Sequence, residues 1–269
     1  MSARFKELLI SPSGCVNTSM EDGNFIVDNG VITLKSDPGF YPGIYSMKVN
    51  GREWLANSYP ELTAKSWWNP WAGGMKTVPN GINTFSLLKE NSDAEVVELT
   101  DSEGNKWTGL AITTEFKEHK QWKDVQYTQY YLTLPGVPVV ASFAEVKDPG
   151  GKNLADENWI TDMFVGSELT DVQISVSDSQ QGHAYQAGSE EIGLLLDEDS
   201  YFSSHSCDDK FYMVPNNDAY PTDAYTNKEV LQIVSRHKGD FEKSAPLFML
   251  FDERRLTGDL LKKLRRVQF

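Results

Sequence analysis

Cysteine is scarce in this chain: Cys15 and Cys207 are the two in 269 residues, too far apart in sequence for a metal-ligand or redox motif. That scarcity points to a reducing compartment, with one long-range bridge as the alternative. Long hydrophobic runs are missing as well, and none approaches the ~20 apolar residues that a membrane helix needs. Basic charge is in deficit, with 25 Lys and Arg against 39 Asp and Glu, a net charge of −14 and a pI near 4.7. Long-range repulsion then opposes both phosphate backbones and anionic lipid, so neither nucleic acid nor membrane is an expected partner. Gly-x-Ser-x-Gly and any glycine loop opening a helix are absent, which disfavours α/β-hydrolase and nucleotide-dependent chemistry. The acidic runs Asp197-Glu198-Asp199 and Asp208-Asp209 lack the spacing of a calcium loop, so no metal or cofactor is expected. At the N-terminus, Arg4 and Lys6 precede Leu8-Leu9-Ile10 and Ser13-Gly14-Cys15, superficially like a lipoprotein signal. An apolar run of three residues beside Glu7, followed by Pro12, does not make one; the expectation is a soluble, cytoplasmic protein.

Aromatic residues, by contrast, are concentrated. Ser66-Trp67-Trp68-Asn69-Pro70-Trp71 holds three of the seven tryptophans within five residues and runs at once into Ala72-Gly73-Gly74-Met75-Lys76. Asn-Pro and Gly-Gly forbid a long regular element there, and three adjacent indoles cannot all enter one core. Two readings follow: an aromatic rim for a sugar, a flat ligand or a protein partner, or a buried plug closing one end of a β-sandwich.

Strand signals dominate the rest. Phe25-Ile26-Val27 and Val31 to Leu34 flank Asp28-Asn29-Gly30, and Ile44 to Val49 runs into Asn50-Gly51, so both read as hairpins. Strands are also expected at Ile82 to Leu88, Glu95 to Leu99 and Trp107 to Phe116. Val125, Tyr127, Gln129, Tyr131 and Thr133 alternate with Gln126, Thr128, Tyr130, Leu132 and Leu134, and Pro135-Gly136 turns this strand onto Val137 to Val146. Shorter strands are expected at Trp159 to Val165, Val172 to Val176, Ile192 to Leu196, Phe211 to Val214, Val230 to Val234 and Leu247 to Phe251. The one clear helix is terminal, about 256–267: Thr257 is a candidate cap, Leu260, Leu261 and Leu264 form a stripe, and the basic residues collect near the C-terminus. The class is all-β, either one large two-sheet antiparallel sandwich or two small β domains; the former is preferred, as a single domain over residues 1–269.

In this order of elements the chain resembles the galactose mutarotase-like supersandwich family of aldose epimerases and of β domains in several glycoside hydrolases and polysaccharide lyases. The resemblance rests on the hairpin Ile44 to Leu55, the Trp67 to Gly74 loop, Trp107-Thr108-Gly109, and the pair Tyr127 to Leu134 and Val137 to Val146. It implies a concave sheet face able to hold a saccharide.

Epimerases of this family use a His acid and a carboxylate base across the sugar ring. None of His119, His183, His205 and His237 here carries the full family motif. His183, followed two residues later by Tyr185, is the nearest match, and Glu145, set between apolar Ala144 and Val146, is the candidate base. His205, near Cys207, Asp208 and Asp209, is a third candidate catalytic residue, for acid–base work or a Cys/His pair, against the alternative of a polar loop. His119, among charged residues, reads as a solvated turn. The candidate ligand-binding residues are Trp67, Trp68, Asn69, Trp71, Lys76 and Arg52: an aromatic platform with planar or cationic donors beside it. The functional expectation is a carbohydrate-binding or carbohydrate-active domain that is not a true aldose 1-epimerase. An accessory domain that packs on another domain or subunit and a glycoside hydrolase or lyase relative are the alternatives.

Overall fold

Alternating apolar and polar residues build strands along most of the chain, and the computed structural model describes residues 12–65, 68–79, 84–120, 122–147, 158–166, 172–177, 182–186, 191–214, 222–238 and 243–269. β1 (Asn17–Glu21), β2 (Asn24–Asp28), β3 (Ile32–Ser36), β4 (Ser46–Val49) and β5 (Arg52–Glu53) make an antiparallel sheet in that order. Its last turn, Asn50-Gly51, has φ values of 50° and 79°, the left-handed pair a two-residue hairpin requires. A separate hairpin of β6 (Thr63–Lys65) and β7 (Trp68–Trp71) leads into β8 (Met75–Pro79). One helical turn, α1 (Thr84–Leu87), stands where a strand over Ile82 to Leu88 was expected; Ile82 itself lies outside the described residues. There follow β9 (Asn91–Thr100), β10 (Lys106–Glu115), β11 (Gln126–Thr133), β12 (Val139–Lys147), β13 (Asn158–Val165), β14 (Gln173–Ser177) and β15 (Gly182–Gln186). The last six strands are β16 (Ile192–Leu196), β17 (Tyr201–Ser204), β18 (Cys207–Val214), β19 (Thr222–Thr226), β20 (Leu231–Lys238) and β21 (Leu247–Asp252).

Nine of these strands form one sheet in the order β15-β14-β17-β18-β21-β12-β11-β10-β9, and five form another in the order β16-β19-β20-β13-β8. Antiparallel bridges Ile44–Met75 and Leu55–Val165 tie the two five-stranded sheets together. They form one layer against the nine-stranded sheet. A single buried cluster joins Val27, Leu34 and Met47 of the first sheet, Met163 and Ile233 of the second, and Leu110, Ile112 and Tyr131 of the nine-stranded one. This is the all-β, two-layer antiparallel sandwich expected from the sequence.

Period-two alternation also gives the nine-stranded sheet an apolar outer face. On β12, Val140 and Ala144 point into the sandwich, whereas Val139, Ala141 and Phe143 point outward beneath Leu256, Leu261, Leu264 and Val267. The terminal segment is α2 (Gly258–Leu261) running into a 3-10 turn at Lys262–Arg266, so the leucine stripe docks as expected. Thr257 occupies the N-cap, but its side chain makes no capping bond; Asp199 Oδ1 accepts from Gly258 N at 2.6 Å instead.

Candidate ligand-binding site

The glycine pair of the tryptophan segment is a requirement of crossing. A Cβ on Gly73 would sit 2.1 Å from the Ala56 oxygen, and one on Gly74 would sit 2.5 Å from the Ile44 oxygen. Only glycine lets the chain pass both backbones and deliver β8 to the edge of β13. Trp71, 2% exposed, then packs edge-on against Phe164 with centroids 5.6 Å apart, and Trp68 does the same at 5.5 Å while also meeting Tyr225 at 6.1 Å. The described tryptophans of the motif therefore differ in burial. Trp71 is a plug, with Lys65 Nζ 4.1 Å over its ring; burial pushes the Lys65 ammonium below its ordinary pKa against the pull of Glu229. Trp68 is half-buried, Asn69 is exposed, and Trp67 lies outside the described residues.

Strand parity extends this cluster into a face. Phe164, Asp162 and Ile160 point outward from β13, opposite Met163 and Thr161, which enter the sandwich. The register sets Asp162 beside Lys76 on β8 and Val234 on β20, and it sets Phe164 beside Gln232, which in turn faces Tyr225 on β19. Lys76 Nζ is ion-paired with Asp162 Oδ2, with side-chain exposures of 4% and 14%, and Gln232 Nε2 donates to Asp162 Oδ1 at 2.7 Å. Further along, Arg236 pairs with Asp223. The outer face of the second five-stranded sheet thus carries an aromatic end and, one residue pair or ~7 Å away, a fixed polar row. Asp162, Gln232, Phe164 and Tyr225 were not singled out from the sequence. The available signal was one carboxylate alternating with Ile160 and Phe164 in a largely apolar strand.

Behind this face, β8 is held from the opposite sheet. Gln129 Oε1 accepts from Thr77 N at 2.8 Å, Tyr127 OH donates to Thr77 O, and Tyr131 OH donates to Met75 O at 3.2 Å. Gln129 Nε2 donates to Pro42 O at 2.6 Å, and Thr77 Oγ1 lies 2.9 Å from both Ser142 and Thr161 hydroxyls. These groups are buried, so each bond replaces one that water would otherwise make.

The other sequence candidates are dispersed. Arg52 lies beside Cys207 at the β17–β18 end of the nine-stranded sheet, where its charge acts on that thiol, and not beside the tryptophan segment. Burial is the main cause that raises the Cys207 thiol, and the neighbouring Asp209 adds to it. Glu145 is on the outer face of β12, ion-paired with Lys243 at 2.5 Å and accepting from Tyr130 OH at 3.1 Å. The backbone of His183 pairs with Val176 in the edge strand β15, a strand where a surface turn was the alternative. Four strands separate β15 from β12, which at ~4.8 Å per step puts His183 and Glu145 about 24 Å apart across the sheet. His205, in the β17–β18 turn, reaches Gln173 at 3.4 Å. Among the described residues, no three His, Cys, Asp or Glu side chains converge on a metal position, and no helix is long and apolar enough to cross a membrane.

No family model and no curated protein matches the sequence. Solved structures match the fold. The "putative aldose 1-epimerase" of Klebsiella pneumoniae superposes with a TM-score of 0.54 at 10% identity, over 93% of this chain and 86% of that one. That likeness of fold is consistent with a weak galactose mutarotase-like resemblance. A TPR-domain containing protein from Parabacteroides distasonis superposes with a TM-score of 0.58 at 10% identity, over 87% of this chain and 47% of its own. The GH36 alpha-galactosidase AgaB of Geobacillus stearothermophilus does so with a TM-score of 0.53 at 8% identity, over 91% and 42%. At such identities the likeness is one of fold.

Proposed function

We propose that the outer face of the second five-stranded sheet binds carbohydrate. In this reading residues 1–269 act as one domain, Trp68 and Tyr225 offer aromatic surfaces, and Asn69, Asp162 and Gln232 offer hydrogen-bonding groups. The observation that carries it is the aromatic end set directly beside the fixed Lys76–Asp162–Gln232 row on one sheet face. A sugar ring presents an apolar C–H face and a hydroxyl-lined edge, which such a pairing matches. The names of the Klebsiella protein and of the galactosidase support a sugar ligand. Aldose 1-epimerase activity is not part of the reading, because ring opening needs an acid and a base within hydrogen-bond reach of one sugar, and His183 and Glu145 lie on strands with four others between them. A second reading, an accessory domain beside another domain, is favoured by the coverage of less than half of two longer chains. Titration of intrinsic tryptophan fluorescence with neutral mono- to trisaccharides tests the first reading. A saturable change that Trp68→Ala weakens by about 1–3 kcal/mol in a folded protein supports it. Cooperative unfolding of that variant at a much lower temperature, with no saccharide response in the parent protein, refutes it.

A further inference from the structure

Among the described side chains, two cations of this face are matched to carboxylates. Lys76 is paired with Asp162 and Arg236 with Asp223, each between neighbouring strands of the same face. The Lys76 ammonium is 4% exposed, so turning it toward a ligand anion would leave the Asp162 carboxylate, itself 14% exposed, without its counter-charge. Lys65, at the aromatic end, is committed to the Trp71 ring and to the Glu229 carbonyl oxygen at 3.4 Å. What the polar row offers a ligand is therefore an acceptor. Asp162 takes one donor on each oxygen, Lys76 on one and Gln232 on the other, and a carboxylate has lone pairs for about four. The remaining lone pairs suit hydroxyl donors and repel a carboxylate or phosphate, and the chain's net charge of −14 adds a long-range opposition of the same sign.

We propose that this face selects uncharged, hydroxyl-rich saccharides over uronic-acid and phosphorylated ones, and that Asp162 determines the selection by accepting hydroxyl hydrogens beside the Phe164–Trp68 cluster. The inference rests on the carbohydrate reading above and adds the ligand's charge and the residue that reads it. The test is calorimetric titration of the full chain with glucose, galactose and their neutral trisaccharides, set against glucuronate, galacturonate, trigalacturonate and glucose 6-phosphate, at low and high salt. Neutral probes should bind more tightly than their anionic counterparts by about tenfold or more at low salt, and the gap should narrow as salt screens the repulsion. Asp162→Asn, checked for folding by circular dichroism, should weaken the neutral probes by about tenfold and shrink the gap, because it removes the negative acceptor and releases the Lys76 charge. The parent-protein comparison stands even where that variant does not fold. Anionic probes that bind as tightly as neutral ones overturn the selectivity and leave the carbohydrate reading intact. A gap unchanged in folded Asp162→Asn overturns the role of Asp162. Absence of binding by every probe overturns both the selectivity and the reading it rests on.

Discussion

Replacing Lys76 by Met keeps much of the side-chain volume and deletes one charge of the polar row. Asp162 would then hold a carboxylate, 14% exposed, with the Gln232 amide as its remaining donor on this face. Removing one partner of a buried ion pair costs about 3–5 kcal/mol, and the partial exposure of Asp162 places the expected loss near the lower end, about 3 kcal/mol. The double variant Lys76→Met/Asp162→Leu removes the orphaned charge together with its partner. It should recover most of the loss, giving a coupling of about 2 kcal/mol or more in a double-mutant cycle. Urea denaturation followed by tryptophan fluorescence measures all four proteins. Strict additivity of the two substitutions would refute the claim that this pair is coupled and shielded on the sheet face.

Four further outcomes follow from other parts of the structure. Asn29 is buried, its amide nitrogen donating to Thr133, Leu134 O and Val137 O and its oxygen accepting from Val31 N and Ile32 N; Asn29→Ala should lower stability by about 3 kcal/mol or more in urea titrations, since it strands several buried groups at once. Burial is the main cause that raises the Glu53 carboxyl above its ordinary pKa, partly offset by hydrogen bonds from Ser46, Met47 N and Leu55 N. A raised carboxyl contributes stability below its unfolded pKa that is lost as pH rises through the folded value, so the urea midpoint should fall over that window and Glu53→Gln should flatten the fall. Truncation after Arg255 uncovers Val139, Ala141 and Phe143 and should lower the melting temperature while increasing binding of an apolar dye; no change in either would mean that the terminal segment does not dock. Polarimetry of freshly dissolved glucose and galactose should show no enzymatic acceleration of anomer exchange, and an acceleration lost in His183→Ala would restore that residue as a catalytic acid.

The parts of the fold that were legible in the sequence are those that local chemistry decides. Asp28-Asn29-Gly30 and Asn50-Gly51 announced their hairpins because few residues accept a positive φ, and the alternation in Tyr127 to Thr133 separated the two faces of β11 correctly. The leucine stripe of the terminal segment docked for the same reason. Strands without an apolar period were missed: β15 and β19 are short and polar, and β7 carries a proline. The polar row was not legible because its chemistry is made by register. Lys76 and Asp162 are 86 positions apart in sequence, and neither signals the other until β8 and β13 are aligned. The pairing of His183 with Glu145 failed on the converse ground, since two residue types suited to one reaction were placed by the strand order on distant parts of one sheet.

The hydrogen bonds that join Tyr127, Gln129 and Tyr131 to β8 have a consequence for the edge of the second five-stranded sheet. A terminal strand with bare amides and carbonyls is a template on which a second chain can add, and proteins that expose one tend to polymerise. On the side of β8 that turns away from β13, Met75 is met by the backbone of Ile44 and by the phenol of Tyr131, and Thr77 by Gln129 and Tyr127. The place a neighbouring strand would take is filled by side chains reaching across from the facing layer. That margin is closed to strand addition, so the face formed by β8 and β13 ends on this side without an open strand edge.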